Sequence, residues 1–175
     1  MKRIAIPMSA EAAVKHEIIP YTGTRGLYAS MLPQYPEPIV EIAKELGIEL
    51  DSTKVHTTVC YSKKASVPMA ELPAVGSSDV FRVIINEVSH WVGHKKQTCV
   101  VLKMISPDIV LLNAELQARG AEHTFTPYSP HITLSDEFGE ITEEMQAKID
   151  AINKRLARNP LKLDFDRYQV GDQDN

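Results

Sequence analysis

Two short strings carry the residues best suited to chemistry: Val55-His-Thr-Thr-Val-Cys-Tyr61 and Pro130-His-Ile-Thr-Leu-Ser135. Each sets His-x-Thr inside a β-branched run. Residues two apart on a strand point the same way, so His56 shares a face with Thr58, and His131 with Thr133. Val55, Thr57 and Val59 on one strand, and Ile132 and Leu134 on the other, then turn to the packed side. Imidazole titrates near pH ~6.5, so a pair supplies one general base and one general acid at neutral pH. Threonine hydroxyls donate hydrogen bonds to phosphate oxygens, whose charge grows during phosphoryl transfer. Such a set moves protons without a metal. One tripeptide alone reads more simply as a satisfied core histidine in a threonine-rich strand. Two of them, each after a helix and at equivalent places in a half-repeat, point to a site. The pattern leaves open which histidine is the base.

The elements that must position these groups follow from periodicity and punctuation. Residues 1 to about 24 give no clear element and end in the turn-rich Tyr21-Thr-Gly-Thr24. Arg25–Leu32 reads as a strand stopped by Pro33 and Pro36. Pro38–Gly47 is an amphipathic helix with Ile39, Ile42, Ala43 and Leu46 on one face, followed by a strand over Lys54–Ser62. Residues 63–78 are loop-like, with Pro68, Pro73 and Gly76. Strands over Asp79–Ser89 and Gln97–Met104 flank Trp91–Lys96, expected as their hairpin connection. A helix over Pro107–Arg119 puts Ile109, Leu112 and Leu116 on one stripe, with Gly120 as its stop. The strand His131–Ser135 and a helix over Glu140–Arg158 follow, the helix opening with acids and closing with bases. Leu161, Leu163 and Phe165 alternate as an edge strand. The order is β-α-β-(loop)-β-β-α-β-α-β, a mixed α+β protein.

At 175 residues the chain is long enough for one domain with a sizeable core. A net charge of −4 and pI near 5.9 argue against a general coat on duplex DNA or RNA, which needs a broad basic surface. A small anionic ligand in a local pocket remains compatible. Cys60 and Cys99 sit in apolar runs and read as buried free thiols. No run is long enough to span a bilayer, and the start resembles no signal peptide, so a cytoplasmic protein is expected.

The resemblance that adds to this reading lies in three segments: Gly26-Leu-Tyr-Ala-Ser30, His56–Lys63 and Gly120–Ser135. They resemble the 2H phosphoesterase superfamily, named for two His-x-Thr/Ser motifs, and within it the phage anti-CBASS phosphodiesterase branch. The resemblance runs from about Tyr21 onward. It divides the chain into an extension over residues 1–20, one bilobal domain over 21–170 and a loose tail over 171–175. It implies two antiparallel sheets around a central cleft with helices outside. It also implies cleavage, without metal or other cofactor, of the 3′–5′ bonds of cyclic di- and trinucleotides such as cyclic GMP–AMP, bacterial alarm signals of phage infection. His56, Thr58, His131 and Thr133 then carry the chemistry. One histidine takes the proton of a ribose 2′-hydroxyl, the other protonates the leaving 5′-oxygen, and the threonines hold the non-bridging oxygens.

Around them, Trp91, the only tryptophan, is a candidate to stack a base, against ordinary packing on a sheet. Tyr28 and Tyr128 are candidates to line the cleft. Lys63 is the first candidate cation for the phosphate, ahead of Lys64, Lys95 and Lys96. His90 and His94, with Cys99, do not converge as a zinc site would require. Family members close the cleft with a C-terminal segment bearing an acid and an aromatic; Asp164, Asp166 and Tyr168 lie in that region without an assignment. The competing readings are an RNA-end 2′,3′-cyclic phosphodiesterase and a protein that sequesters the cyclic nucleotide uncut.

Overall fold

The computed structural model describes residues 2–5, 26–63, 80–93 and 95–171. The expected extension beyond Ala5, most of the loop over 63–78 with Lys64, and His16 and His94 lie outside the described residues. Seven strands and three α-helices are present among the described residues: β1 (Lys2–Ala5), β2 (Leu27–Pro33), α1 (Glu37–Glu45), β3 (Thr57–Ser62), β4 (Phe81–Val92), β5 (Thr98–Ile105), α2 (Pro107–Ala118), β6 (His131–Ser135), α3 (Glu143–Arg158) and β7 (Leu161–Gly171).

The helix ends follow from their termini. Pro38 lies in the first turn of α1, and Gly47 beyond its end takes φ +75, a left-handed stop that glycine adopts without strain. Ser106 caps α2, its Oγ accepting from Ile109 N and donating to the Arg82 carbonyl at 2.9 Å. Thr142 caps α3, whose first turn holds Glu143 and Glu144 and whose last holds Arg155 and Arg158. Arg155 then grips Glu45 through both carboxylate oxygens, at 2.8 and 3.0 Å, tying α3 to α1.

All strand pairings are antiparallel, in the order β1-β7-β2-β3-β6-β5-β4, and β4 returns to pair with β7. The two separate sheets expected from the resemblance are therefore one hydrogen-bonded sheet. Its narrowest link is β3 to β6, where a single register pair, Thr57↔Ile132, joins the halves. The alternating C-terminal segment is the first half of a longer strand. Leu161–Phe165 pairs with β4, and the rest of β7 lies between β2 and β1. Trp91 is inside β4 rather than in a connecting loop.

The core lies on the face that the helices cover. It gathers Ile39, Ile42, Ile109, Leu112, Leu116, Ile149 and Ile152 against Val55, Val59, Cys60, Ile132, Leu134, Phe81 and Phe165. Two polar side chains enter it with a purpose. Asn153 of α3 accepts from Val88 N and donates to Val88 O, covering that stretch of β4 beyond the β7 pairing. Asn113, on the apolar stripe of α2, donates to the Val59 carbonyl at 2.7 Å, and its own Oδ1 accepts from Gln117 at 2.6 Å. The register explains why that carbonyl needs a side chain. Ala29 pairs with Cys60 and Ser30 with Thr58, so Val59 is an extra residue, a β-bulge. Replacing Asn113 by Ala strands a buried carbonyl. The expected cost is about 1–3 kcal/mol, read in urea unfolding as a lower midpoint with an unchanged slope.

Candidate functional site

The two His-x-Thr strings behave as their alternation predicts. Val55, Thr57, Val59, Ile132 and Leu134 are buried, while His56, Thr58, His131 and Thr133 look out from the other face. The Thr57–Ile132 pair makes β3 and β6 neighbours, so both sets belong to one surface. The His56 charge is near enough to lower the His131 pKa.

Both imidazoles are held in the same way. His56 Nδ1 donates to the Lys54 carbonyl at 2.7 Å, and His131 Nδ1 to the Ser129 carbonyl at 2.8 Å. A carbonyl only accepts, so in each neutral ring the proton sits on Nδ1 and Nε2 is the basic atom. His56 Nε2 meets Tyr28 Oη at 2.8 Å, and the same phenol lies 3.2 Å from Thr58 Oγ1. With Nε2 as acceptor, the Tyr28 hydroxyl donates to it and Thr58 donates to Tyr28. Burial raises the Tyr28 pKa, which keeps the phenol a donor at neutral pH.

Trp91 packs edge-on against His131, with ring centroids 4.7 Å apart. It is aimed there from β4, where it stands opposite Cys99 in register. Tyr128 does not present its hydroxyl to a ligand; it donates to the Thr58 carbonyl at 2.9 Å. Its pKa is pushed well above the usual range by burial. Lys63 is exposed just past β3. The cysteines are buried free thiols as expected, and burial pushes the Cys60 thiol up to about 12. Asp164 is exposed, Asp166 half-buried and Tyr168 buried in β7, so the tyrosine is a core side chain.

Three groups escape sequence reasoning. His123 is buried at the end of β3, where its Nδ1 accepts from Tyr61 N at 3.1 Å. Tyr61 stacks on Phe125, with centroids 5.9 Å apart and planes at 26°. Lys103 stands beside His131 in register and pairs with Glu87 at 3.0 Å. Strict alternation counted from Thr58 sends Tyr61 to the core face. The bulge at Val59 reverses that parity, and no residue type in the string announces it.

No group of three or more potential metal ligands gathers among the described residues, and no helix among them is long and apolar enough to cross a membrane. The arrangement defines an α+β protein with paired His-Thr groups on one sheet face. Residues 25–168 match the family model described as anti-CBASS protein Acb1, and the chain belongs to that family. Among its relatives, the anti-CBASS protein Acb1 of Enterobacteria phage T4 is 33% identical over 113 residues, 64% of this chain and 70% of the relative. Its counterpart in Yersinia phage phiR1-RT is 33% identical over 147 residues, 80% of this chain and 91% of the relative. That of Vibrio phage KVP40 is 32% identical over 101 residues, 57% of this chain and 63% of the relative.

The His131 pKa is lowered first by burial and then by His56, against a raising contribution from the Ser129 carbonyl. The unfolded ring, titrating near pH ~6.5, takes up its proton before the folded one as pH falls. Stability is therefore full above that value and declines as pH drops through the folded pKa. Trp91→Ala rehydrates the ring, so its NMR titration midpoint is expected to move up towards the ordinary value. An unmoved midpoint places the cause elsewhere.

Proposed function

We propose that this chain is a phosphodiesterase that opens cyclic di- and trinucleotides at their 3′–5′ bonds and so removes the alarm signal of bacterial anti-phage defence. Two supports of different kinds meet here. The family's name is that of an anti-CBASS protein. The observation that carries the chemistry is the matched hold on the two imidazoles, each Nδ1 tied to the carbonyl two residues upstream, so that Nε2 is the atom that exchanges protons.

The first step follows from those atoms. One Nε2 takes the proton of the ribose 2′-hydroxyl as that oxygen attacks phosphorus. The P–O5′ bond breaks, and the other imidazolium gives its Nε2 proton to the departing O5′. The product is linear and ends in a 2′,3′-cyclic phosphate. Water opens this to a 3′-phosphate with the two roles exchanged. The lowered pKa of His131 suits it to be the first base, which leaves His56 as the acid. Thr58 and Thr133 donate to the non-bridging oxygens, and Lys63 supplies positive potential in an acidic protein. A ring of two or three nucleotides needs few phosphate contacts. A net charge of −4 favours it over a long RNA. The reaction belongs in the infected cell's cytoplasm, where such nucleotides are made.

Incubation with a panel of cyclic di- and trinucleotides, followed by mass analysis, is expected to show linear products, with turnover unaffected by chelator. His56→Ala and His131→Ala should each lower the rate by about 10²–10⁴-fold, and the wild-type pH–rate profile should be bell-shaped. Full turnover in either variant, or stoichiometric recovery of uncut ligand, overturns the mechanism.

A further inference from the structure

We propose that Tyr61 and Phe125 form a stacking wall for one nucleobase of the ring, while Trp91 serves another. The inference rests on the cyclic-nucleotide reading and adds to it a second base subsite with a preference for purines.

A single exposed phenylalanine needs no explanation. Phe125 is different because of what stands behind it. It is 44% exposed and lies on Tyr61, which is in edge contact with Tyr28 at 5.9 Å. Tyr28 in turn touches His56 at 6.2 Å. The aromatic row therefore leads from one proton-transfer group out to solvent. Trp91 reaches the other, His131, from β4.

The backbone beneath the row is fixed by polar groups that the core would otherwise exclude. Val59 and Cys60 are both fully buried, and this doubled inward step is what turns Tyr61 outward. Asn113, 3% exposed, holds the bulge through the Val59 carbonyl. On the other side, Tyr61 N donates to His123 Nδ1 and Thr124 N donates to the Tyr61 carbonyl at 2.8 Å. That bond fixes the residue immediately before Phe125. A buried asparagine and a buried histidine are costly unless they satisfy partners. Here both act on the chain that presents the stacked pair.

The ligand chemistry matches this placement. A cyclic dinucleotide carries two bases on one small ring, and each has a π face that an aromatic side chain accepts. The gain grows with the area of the base, so purines profit more than pyrimidines. Asn113 and His123 are positioning residues in this scheme; Tyr61 and Phe125 touch the ligand.

The test is calorimetric titration of the full chain with a cyclic dinucleotide of two 2′-deoxyadenosines, which lacks the attacking hydroxyl, and with its 2′-deoxycytidine counterpart. Phe125→Ala is expected to weaken the dipurine by roughly tenfold to a hundredfold and the dipyrimidine by clearly less. Phe125→Trp should restore the dipurine. Wild-type affinity in Phe125→Ala, an equal loss for both ligands, or no rescue by tryptophan overturns the wall and leaves the proposed activity standing. A wild-type protein that binds neither ligand and cuts no ribonucleotide ring overturns that activity, and the wall with it.

Discussion

The junction of β3 and β6 is the constraint on which the site depends. Two strands that share one register pair cannot satisfy each other's backbone through a ladder. Side chains and loop backbone finish the work. Thr57 Oγ1 donates to the His131 carbonyl at 2.9 Å, Tyr128 donates to the Thr58 carbonyl, and His123 accepts from Tyr61 N. Each bond joins the segment carrying one His-Thr set to the segment carrying the other, or to the loop leading into it. The residues between the outward-facing His and Thr are thus structural in a specific sense. Thr57, with no exposed surface, locks the strand whose neighbours His56 and Thr58 face out.

Orientation and proximity have separate causes. Each ring is aimed locally, by the carbonyl two residues upstream. Lys54 ends a 3-10 turn (Ser52–Lys54) that Asp51 caps by accepting from Thr53 N at 2.9 Å, which fixes the carbonyl that His56 uses. Distance between the rings is set by the strand junction. Local hydrogen bonding therefore fixes the tautomer while packing fixes the pair. Burial lowers the pKa of His131 and of His123, which favours the neutral form of those two rings.

What the sequence disclosed and what it hid divide along one physical line. Strand periodicity is a local rule, and it placed His56, Thr58, His131 and Thr133 on one face and their neighbours in the core. The apolar stripe of α2 and the acid-to-base run of α3 were legible for the same reason. Non-local pairing was not legible. Leu161–Phe165 runs along β4 as its alternation allows, yet the strand continues between β2 and β1, and nothing in its composition names those partners. Trp91 looked like a turn residue because Gly93 and two lysines follow it. In the structure β4 simply runs on to Val92. Tyr61 failed for a subtler reason. Alternation is right only until a bulge, and the marker of this bulge, Asn113, lies fifty-four residues away.

On the proposed mechanism, Tyr28 gives the site a means of distinguishing a transition state from a bound ligand. In the unliganded protein its phenol bridges His56 Nε2 and Thr58 Oγ1, so both are already satisfied. On the proposed reading, a neutral ribose hydroxyl or a phosphate oxygen arriving there exchanges one ordinary hydrogen bond for another and gains little. Once proton transfer begins, His56 hands its proton to the leaving oxygen and the phosphate oxygens gain charge. The same donors then make charge-assisted bonds, roughly twice as strong as neutral ones. The difference between those two exchanges is available only to the transition state, which is where binding energy raises turnover rather than affinity. A site already filled by its own polar groups is in this sense a device for binding the ground state weakly.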